Sequence, residues 1–155
     1  MIELRLAKIE DIIDITELRL TYLKEIRNNI SPYDEQLIIW NNIEYLKEHL
    51  NKDCFVSAVW INGKAVSSSY LGVYRKAANF RTITGIYGEI YGVYTLPKYR
   101  RKGYAISTIK KLITSAQDNN INSIVLESSK DGIDMYLKLG FIPDQSNYQT
   151  MWLIK

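Results

Sequence analysis

The residues best suited to chemistry lie in one run, Val93-Tyr94-Thr95-Leu96-Pro97-Lys98-Tyr99-Arg100-Arg101-Lys102-Gly103-Tyr104-Ala105. A β-branched and aromatic stretch stops at Pro97, a basic turn follows, and an apolar helical seam begins beyond Gly103. The first-turn amides of a helix have no intrahelical acceptor and sit at the positive end of the helix dipole, so they form an anion site. Gly103 lets the backbone approach a ligand closely, and the small Ala105 keeps the first turn open. Lys98, Arg100, Arg101 and Lys102 add positive charge. The rival phosphate loops fail on spacing, because neither GxxxxGK[ST] nor GxGxxG occurs. The bland alternative is a solvated basic turn.

The charge around this run agrees with an anion site. The chain of 155 residues has a formal net charge of +3, unevenly spread. Residues 1–53 hold seven Lys/Arg against eleven Asp/Glu, and residues 54–155 hold thirteen against six. Between Cys54 and Gln117 the only carboxylate is Glu89, against ten basic side chains. Such a surface draws a cofactor's phosphates, a nucleic acid or an acidic lipid. Glu89 itself sits on the strand that leads into the turn. It would share a face with Tyr87, Tyr91 and Val93 unless a bulge at Gly88 or Gly92 shifts the register.

The elements that must hold these residues can be read from periodicity. Residues 2–6 form a short strand, and Ile12, Ile15, Leu18, Tyr22 and Ile26 mark a helix. Ser31 is an N-cap and Pro32 a first helical residue, opening a second helix with the seam Ile39, Ile43, Leu46 and Leu50. Residues 55–61 and 64–74 form a hairpin about Asn62-Gly63. A further strand runs over about 81–96, with a bend at Gly85, Gly88 or Gly92. Ala105, Ile106, Ile109, Leu112, Ile113 and Ala116 mark the third helix, 121–127 a buried strand, and 131–139 a short helix stopped at Gly140-Phe141. Residues 148–154 read as a closing strand. The expected fold is α/β, a mixed central sheet of about six to seven strands flanked by helices, in the order βααβββαβαβ. With 46% apolar and 24% charged residues, the composition is that of one globular domain over 1–155, and it excludes disordered and collagen-like classes.

Three segments carry a family resemblance. Arg100-x-x-Gly103-x-Ala105 is similar to the acyl-CoA pyrophosphate motif, [QR]-x-x-G-x-[GA], of the GNAT N-acetyltransferase superfamily. Arg5-x-Ala7 with Asp11 resembles that family's first strand and helix, and Tyr136-Leu137-Lys138-Leu139-Gly140-Phe141 resembles its Y-x-K-x-G-F signature. The resemblance spans essentially the whole chain and implies an acetyl-CoA-dependent N-acetyltransferase. By that resemblance, backbone groups of Val93, Tyr94 and Thr95 pair with the pantetheine arm. The amides of Arg101, Lys102, Gly103, Tyr104, Ala105 and Ile106 cradle the pyrophosphate. Glu89, eleven residues before Arg100, takes the place of a glutamate base, and Tyr136 that of the proton donor to the leaving thiolate. Where many members carry Asn and Ala, seven and four residues before that tyrosine, this chain has Ser129 and Gly132. The resemblance assigns the acceptor pocket to about 27–33 and a late hairpin, with Tyr33, Tyr87 and Tyr91 as candidate walls.

The expected acceptor is a small-molecule or peptide amine. Direct attack on the thioester needs no Ser/His/Asp or Cys/His set, and neither is evident. His49 and Cys54 are discounted as a nucleophile pair, since nothing near them would activate the thiol. No metal is expected, the chain having one His and one Cys and no tight carboxylate cluster. Nucleic acid is not expected, because the basic residues lie on one turn without interleaved exposed aromatics. No membrane span is expected, and Met1 to Leu6 lack the basic and apolar pattern of a secretion signal, so a cytoplasmic protein is expected, with a homodimer as one option for its assembly. A non-catalytic acyl-CoA-binding module is the competing reading.

Overall fold

The strand that leads to the basic turn is the fourth of a five-stranded sheet whose spatial order follows the chain. The computed structural model describes residues 1–154. β1 (Ile2–Leu6) is followed by α1 (Ile12–Ile26) and α2 (Pro32–His49), then β2 (Cys54–Ile61), β3 (Lys64–Arg75) and β4 (Ile86–Thr95). α3 (Tyr104–Asp118) crosses to β5 (Ile124–Leu126), and α4 (Ile133–Lys138) follows. The first four strands are antiparallel neighbours, and β5 runs parallel to β4.

Local chemistry explains these boundaries. Asn62 and Gly63 both take positive φ, 49° and 79°, as a tight hairpin twist requires. Ser31 Oγ accepts from Asp34 N at 3.0 Å, capping α2 ahead of Pro32. Arg5 grips Asp11 through two hydrogen bonds, one of 3.0 Å, and its guanidinium lies 3.9 Å from the Trp60 ring centroid, so the end of β1 fixes the entry to α1. α1 and α2 cover one face of the sheet over Ile15, Leu18, Leu46, Val56 and Tyr70. α3 and α4 cover the other over Leu71, Ile90, Ile109, Leu112 and Tyr136. With both faces covered, β2 is buried almost throughout.

Three expectations need correction. β4 begins at Ile86 and not near residue 81, because Asn79 Oδ1 accepts from Arg81 N and Thr82 N and holds that stretch in a turn. β5 is confined to Ile124–Leu126. The sheet has five strands, not six to seven, and the order ends βααβββαβα, without the closing strand over 148–154. Beyond α4, Pro143 removes a ladder donor, and Asp144 bends the chain by accepting from Ser146 N at 3.1 Å and Arg81 Nη2 at 2.9 Å. Tyr148 and Trp152, which alternate like strand residues, are 93% and 80% exposed. No helix among the described residues is long and apolar enough to cross a membrane.

The bend in β4 falls at Gly92. Ser68 pairs with Tyr94 and Tyr70 with Tyr91, so β4 carries one residue more than β3 there. Gly92 has φ +59°, and a Cβ on it would lie 2.6 Å from Arg19 Nη1 and 3.2 Å from Tyr70 Cδ2. Gly92→Ala should therefore destabilise the fold by about 2–4 kcal/mol in urea unfolding. Gly63→Ala, whose new Cβ meets nothing within 4 Å, should lose only the left-handed strain of about 1 kcal/mol. Equal losses would mean that close packing at the bulge is not what Gly92 serves.

Candidate functional site

β4 loses a neighbour halfway along. Its pairing with β5 stops at Ile90, opposite Leu126, while β3 follows it on the other side to Thr95. Gly88 N–H donates to Ser123 O at 2.8 Å, toward β5, whereas Leu96 N–H donates to Val66 O at 2.9 Å, toward β3. Simple alternation would point both amides the same way. The extra residue at Gly92 reverses the parity, and the backbone groups of Val93 and Thr95 thereby turn to the side that β5 has left open.

The chain then passes through a 3-10 turn, Pro97–Tyr99, into Arg101 (φ 61°) and Gly103 (φ 78°) and enters α3. No side chain caps α3, and its first turn has no acidic residue. Its leading amides are therefore free for a ligand, and a Cβ built on Gly103 would meet nothing within 4 Å. Strand edge and helix start share one cavity of about 520 Å³. Val93, Tyr94 and Thr95 form one side of it, Arg100, Arg101, Gly103, Tyr104, Ala105 and Ile106 the floor, and Tyr136 the far wall. Lys102, the other expected floor residue, does not line it. The geometry fits a ligand with an extended amide-bearing arm and a diphosphate.

Tyr136 is 9% exposed, with the Phe141 ring edge-on at 5.9 Å. Burial, helped by Tyr22, raises its pKa, so the hydroxyl keeps its proton at neutral pH. Gly132 makes room for that ring, since a methyl there would come within 3.1 Å of Tyr136 Cε2. Ser129 lines the cavity as well.

Glu89 lies elsewhere. It is exposed, pairs with Gly72 and Val125 on the neighbouring strands, and does not line the cavity. Alternation puts it on the α1 and α2 face with Tyr87 and Tyr91. Val93 has left that face: it packs in the α3 and α4 core while Tyr91 packs in the other, the consequence of the bulge. Tyr87 stacks on Tyr74 at 5.5 Å, and Tyr33 stands apart, exposed in the first turn of α2. The cavity bridges the faces, because Glu25 of α1 lines it together with Tyr136 of α4.

The sequence reading missed two residues here. Tyr22 packs on Tyr94 at 5.4 Å and was legible only as part of the α1 seam. Glu25 reaches Arg100 at 2.7 Å, a contact for which no local signal exists. His49 and Cys54 face different partners: His49 Nδ1 lies 2.7 Å from Asp53 Oδ1, and burial pushes the Cys54 thiol up and keeps it unreactive.

Residues 13–141 match the model of the acetyltransferase (GNAT) family. No curated protein gives a significant match to the chain. Among solved structures, the chain resembles a predicted acetyltransferase from Clostridium acetobutylicum with acetyl-CoA, at TM-score 0.81 and 22% identity over 97% of this chain and 96% of that one. It also resembles a GCN5-related N-acetyltransferase from Ralstonia eutropha JMP134, at TM-score 0.79 and 16% identity over 97% and 99%. A ribosomal-protein-alanine N-acetyltransferase from Brucella melitensis biovar Abortus gives TM-score 0.71 and 17% identity over 98% and 99%. At these identities the likeness is one of fold.

The free α3 amides and open space at Gly103 lead to a binding test. Coenzyme A at about 100 times Kd should add about 2.7 kcal/mol, or about 5–10 °C in melting temperature. ATP should add nothing. Gly103→Val should abolish the shift, since its side chain would enter the floor of the cavity. An unchanged shift in that variant would overturn the placement of the diphosphate.

Proposed function

The chain belongs to the acetyltransferase (GNAT) family, and we propose that it transfers an acetyl group from acetyl-CoA to a primary amine by direct attack on the thioester. The observation that carries this reading is the continuity of β4's unpaired edge with the uncapped start of α3 in one cavity. Backbone groups of Val93 and the N–H of Thr95, whose carbonyl already accepts from Arg100 Nε, pair with the pantetheine arm. The amides of Arg101, Gly103, Tyr104, Ala105 and Ile106 hold the pyrophosphate, with help from the helix dipole. When bound, acetyl-CoA supplies an activated acyl group on a thiol that leaves readily.

The chain's own residues move two protons. An amine of pKa about 10.4 is neutral in only about one molecule in 2,500 at pH 7. Glu89, directly or through a water, takes the proton from the amine as its nitrogen bonds to the acyl carbon. Tyr136 gives its proton to the departing sulfur. The C–N bond forms as the C–S bond breaks, and the enzyme is never acylated. The acceptor is a small-molecule or peptide amine reaching the gap from the α1 and α2 face, and the protein works in the cytoplasm.

One observation favours a second reading, a non-catalytic acyl-CoA-binding module: Glu89 stands outside the cavity. Coenzyme A binding without turnover on a broad amine panel would select that module. Otherwise, on the best amine of the panel, Glu89→Gln should lower kcat by about 10²- to 10⁴-fold while Kd for coenzyme A holds. The loss should shrink toward pH 9, where more amine is already neutral. Wild-type rates from pH 6 to 9 would reduce Glu89 to a surface charge.

Tyr136 can be tested for chemistry apart from packing. Tyr136→Phe keeps the ring against Phe141 and should change stability by no more than about 1 kcal/mol. Its turnover should fall, and fall less with an acyl donor whose thiol has a lower pKa. Tyr136→Ala adds a cavity costing about 3–5 kcal/mol. Full activity in Tyr136→Phe would make Tyr136 a core residue and leave the thiolate to take its proton from water.

A further inference from the structure

The carboxylate of Glu25 lines the cavity together with Arg100, Arg101 and a second carboxylate, Asp131. Glu25 is the penultimate residue of α1, and its side chain is 46% exposed. Glu25 Oε1 and Oε2 lie 2.7 and 2.9 Å from Arg100 Nη2, and Oε2 accepts from the Tyr94 hydroxyl at 2.7 Å. Arg100 is engaged on its other side too, where Nε donates to Thr95 O at 2.9 Å. The guanidinium also rests 5.6 Å from the Tyr94 ring centroid. Donation by Tyr94, then by Arg100, holds the Glu25 carboxyl below the usual carboxylate range, so it is charged at neutral pH.

Electrostatics alone would disfavour a carboxylate beside a bound diphosphate. Its contacts supply a different use. Arg100 spans from Thr95, the last residue of β4, to the end of α1, and Tyr94 joins the same carboxylate from the strand. Together they brace the wall that turns the backbone of Val93 and Thr95 toward the ligand. Arg101, exposed on the cavity floor, has no such engagement among the described residues.

Resting on the acyl-donor reading above, we infer that Glu25 is a positioning residue that holds Arg100 and Tyr94 as a brace of the cavity wall, leaving the diphosphate to Arg101 and the α3 amides. The resemblance had implied a cofactor-binding role for Arg100. The two roles predict opposite signs. If Arg100 were a phosphate ligand restrained by Glu25, removing the carboxylate's charge would free it and tighten coenzyme A binding. If the brace is what matters, the same change weakens binding.

Calorimetric titration of the full chain with coenzyme A across a range of salt concentrations decides between them. Glu25→Gln and Arg100→Gln should each weaken binding about tenfold, and the double variant no further, as members of one network do. The reversed pair, Glu25→Arg with Arg100→Glu, should restore most of the affinity. Arg100→Gln should leave the salt dependence of Kd unchanged, whereas Arg101→Gln should flatten it. The pair is half-exposed, so melting temperatures should move little. Should a variant fold poorly, Tyr94→Phe removes one hydroxyl from the same carboxylate and should weaken binding in the same direction. Tighter binding in Glu25→Gln, or a flattened salt dependence in Arg100→Gln, would overturn the brace. A wild-type chain that did not bind coenzyme A would overturn the acyl-donor reading and this inference with it.

Discussion

The site depends on one unmet demand of the backbone. A strand inside a sheet has its N–H and C=O groups satisfied on both sides, and unpaired ones are costly when buried. β4 meets that condition only as far as Ile90. Past that point β5 has ended, and β3 alone follows it. Arg100 Nε takes the Thr95 carbonyl, and the groups left over are spaced to suit an extended chain bearing amides, as the proposed pantetheine arm does. Gly92 decides which groups these are, because its extra residue reverses the parity of everything after it. A regular strand would have turned Val93 and Thr95 to β3 and left a different edge on offer.

Electrostatics complete what the open edge begins. Formal charge gives the turn four cations, but the structure divides them. Arg100 is matched by Glu25, and Lys98 and Lys102 stay off the cavity. Of the four, Arg101 remains in the cavity, beside a helix terminus that no side chain caps. Backbone donors fixed at a helix start are already oriented when the ligand arrives, whereas a long cationic side chain must be ordered at an entropic cost. The charge count thus overstates the part of the side chains and understates that of the backbone.

The difference between what was legible and what was not follows the range of the interactions. The junction at 93–105 could be read because Pro97, Gly103 and the α3 seam are local signals, each with its own backbone reason. The cap at Ser31 and the hairpin at Asn62-Gly63 were legible for the same cause. The face of Val93 could not be fixed, since Gly88 and Gly92 were equal candidates for the bulge until Tyr70 was seen against Tyr91. Glu25 and Arg100 lie 75 residues apart, and no pattern in either neighbourhood points to the other. The closing strand failed for another reason. Alternation at 148–154 describes a chain able to pair, but whether it meets a sheet edge is set by the long-range path of the backbone, which alternation does not report.

The shortness of β5 ties these parts together. Two further ladder residues after Leu126 would extend pairing along β4 toward Gly92 and close the gap through which the two faces communicate. Instead the chain leaves the sheet through Ser128 and Ser129, makes a 3-10 turn at Lys130–Gly132, and enters α4. Gly132 lets that helix bring the Tyr136 ring close, where an alanine would have to push it away. The same few residues therefore end the pairing that would block a ligand and carry the candidate acid to the far wall of the space so opened. A longer β5 would remove the slot and withdraw Tyr136 from it together, so the candidate binding edge and the candidate proton donor cannot be varied independently in this fold.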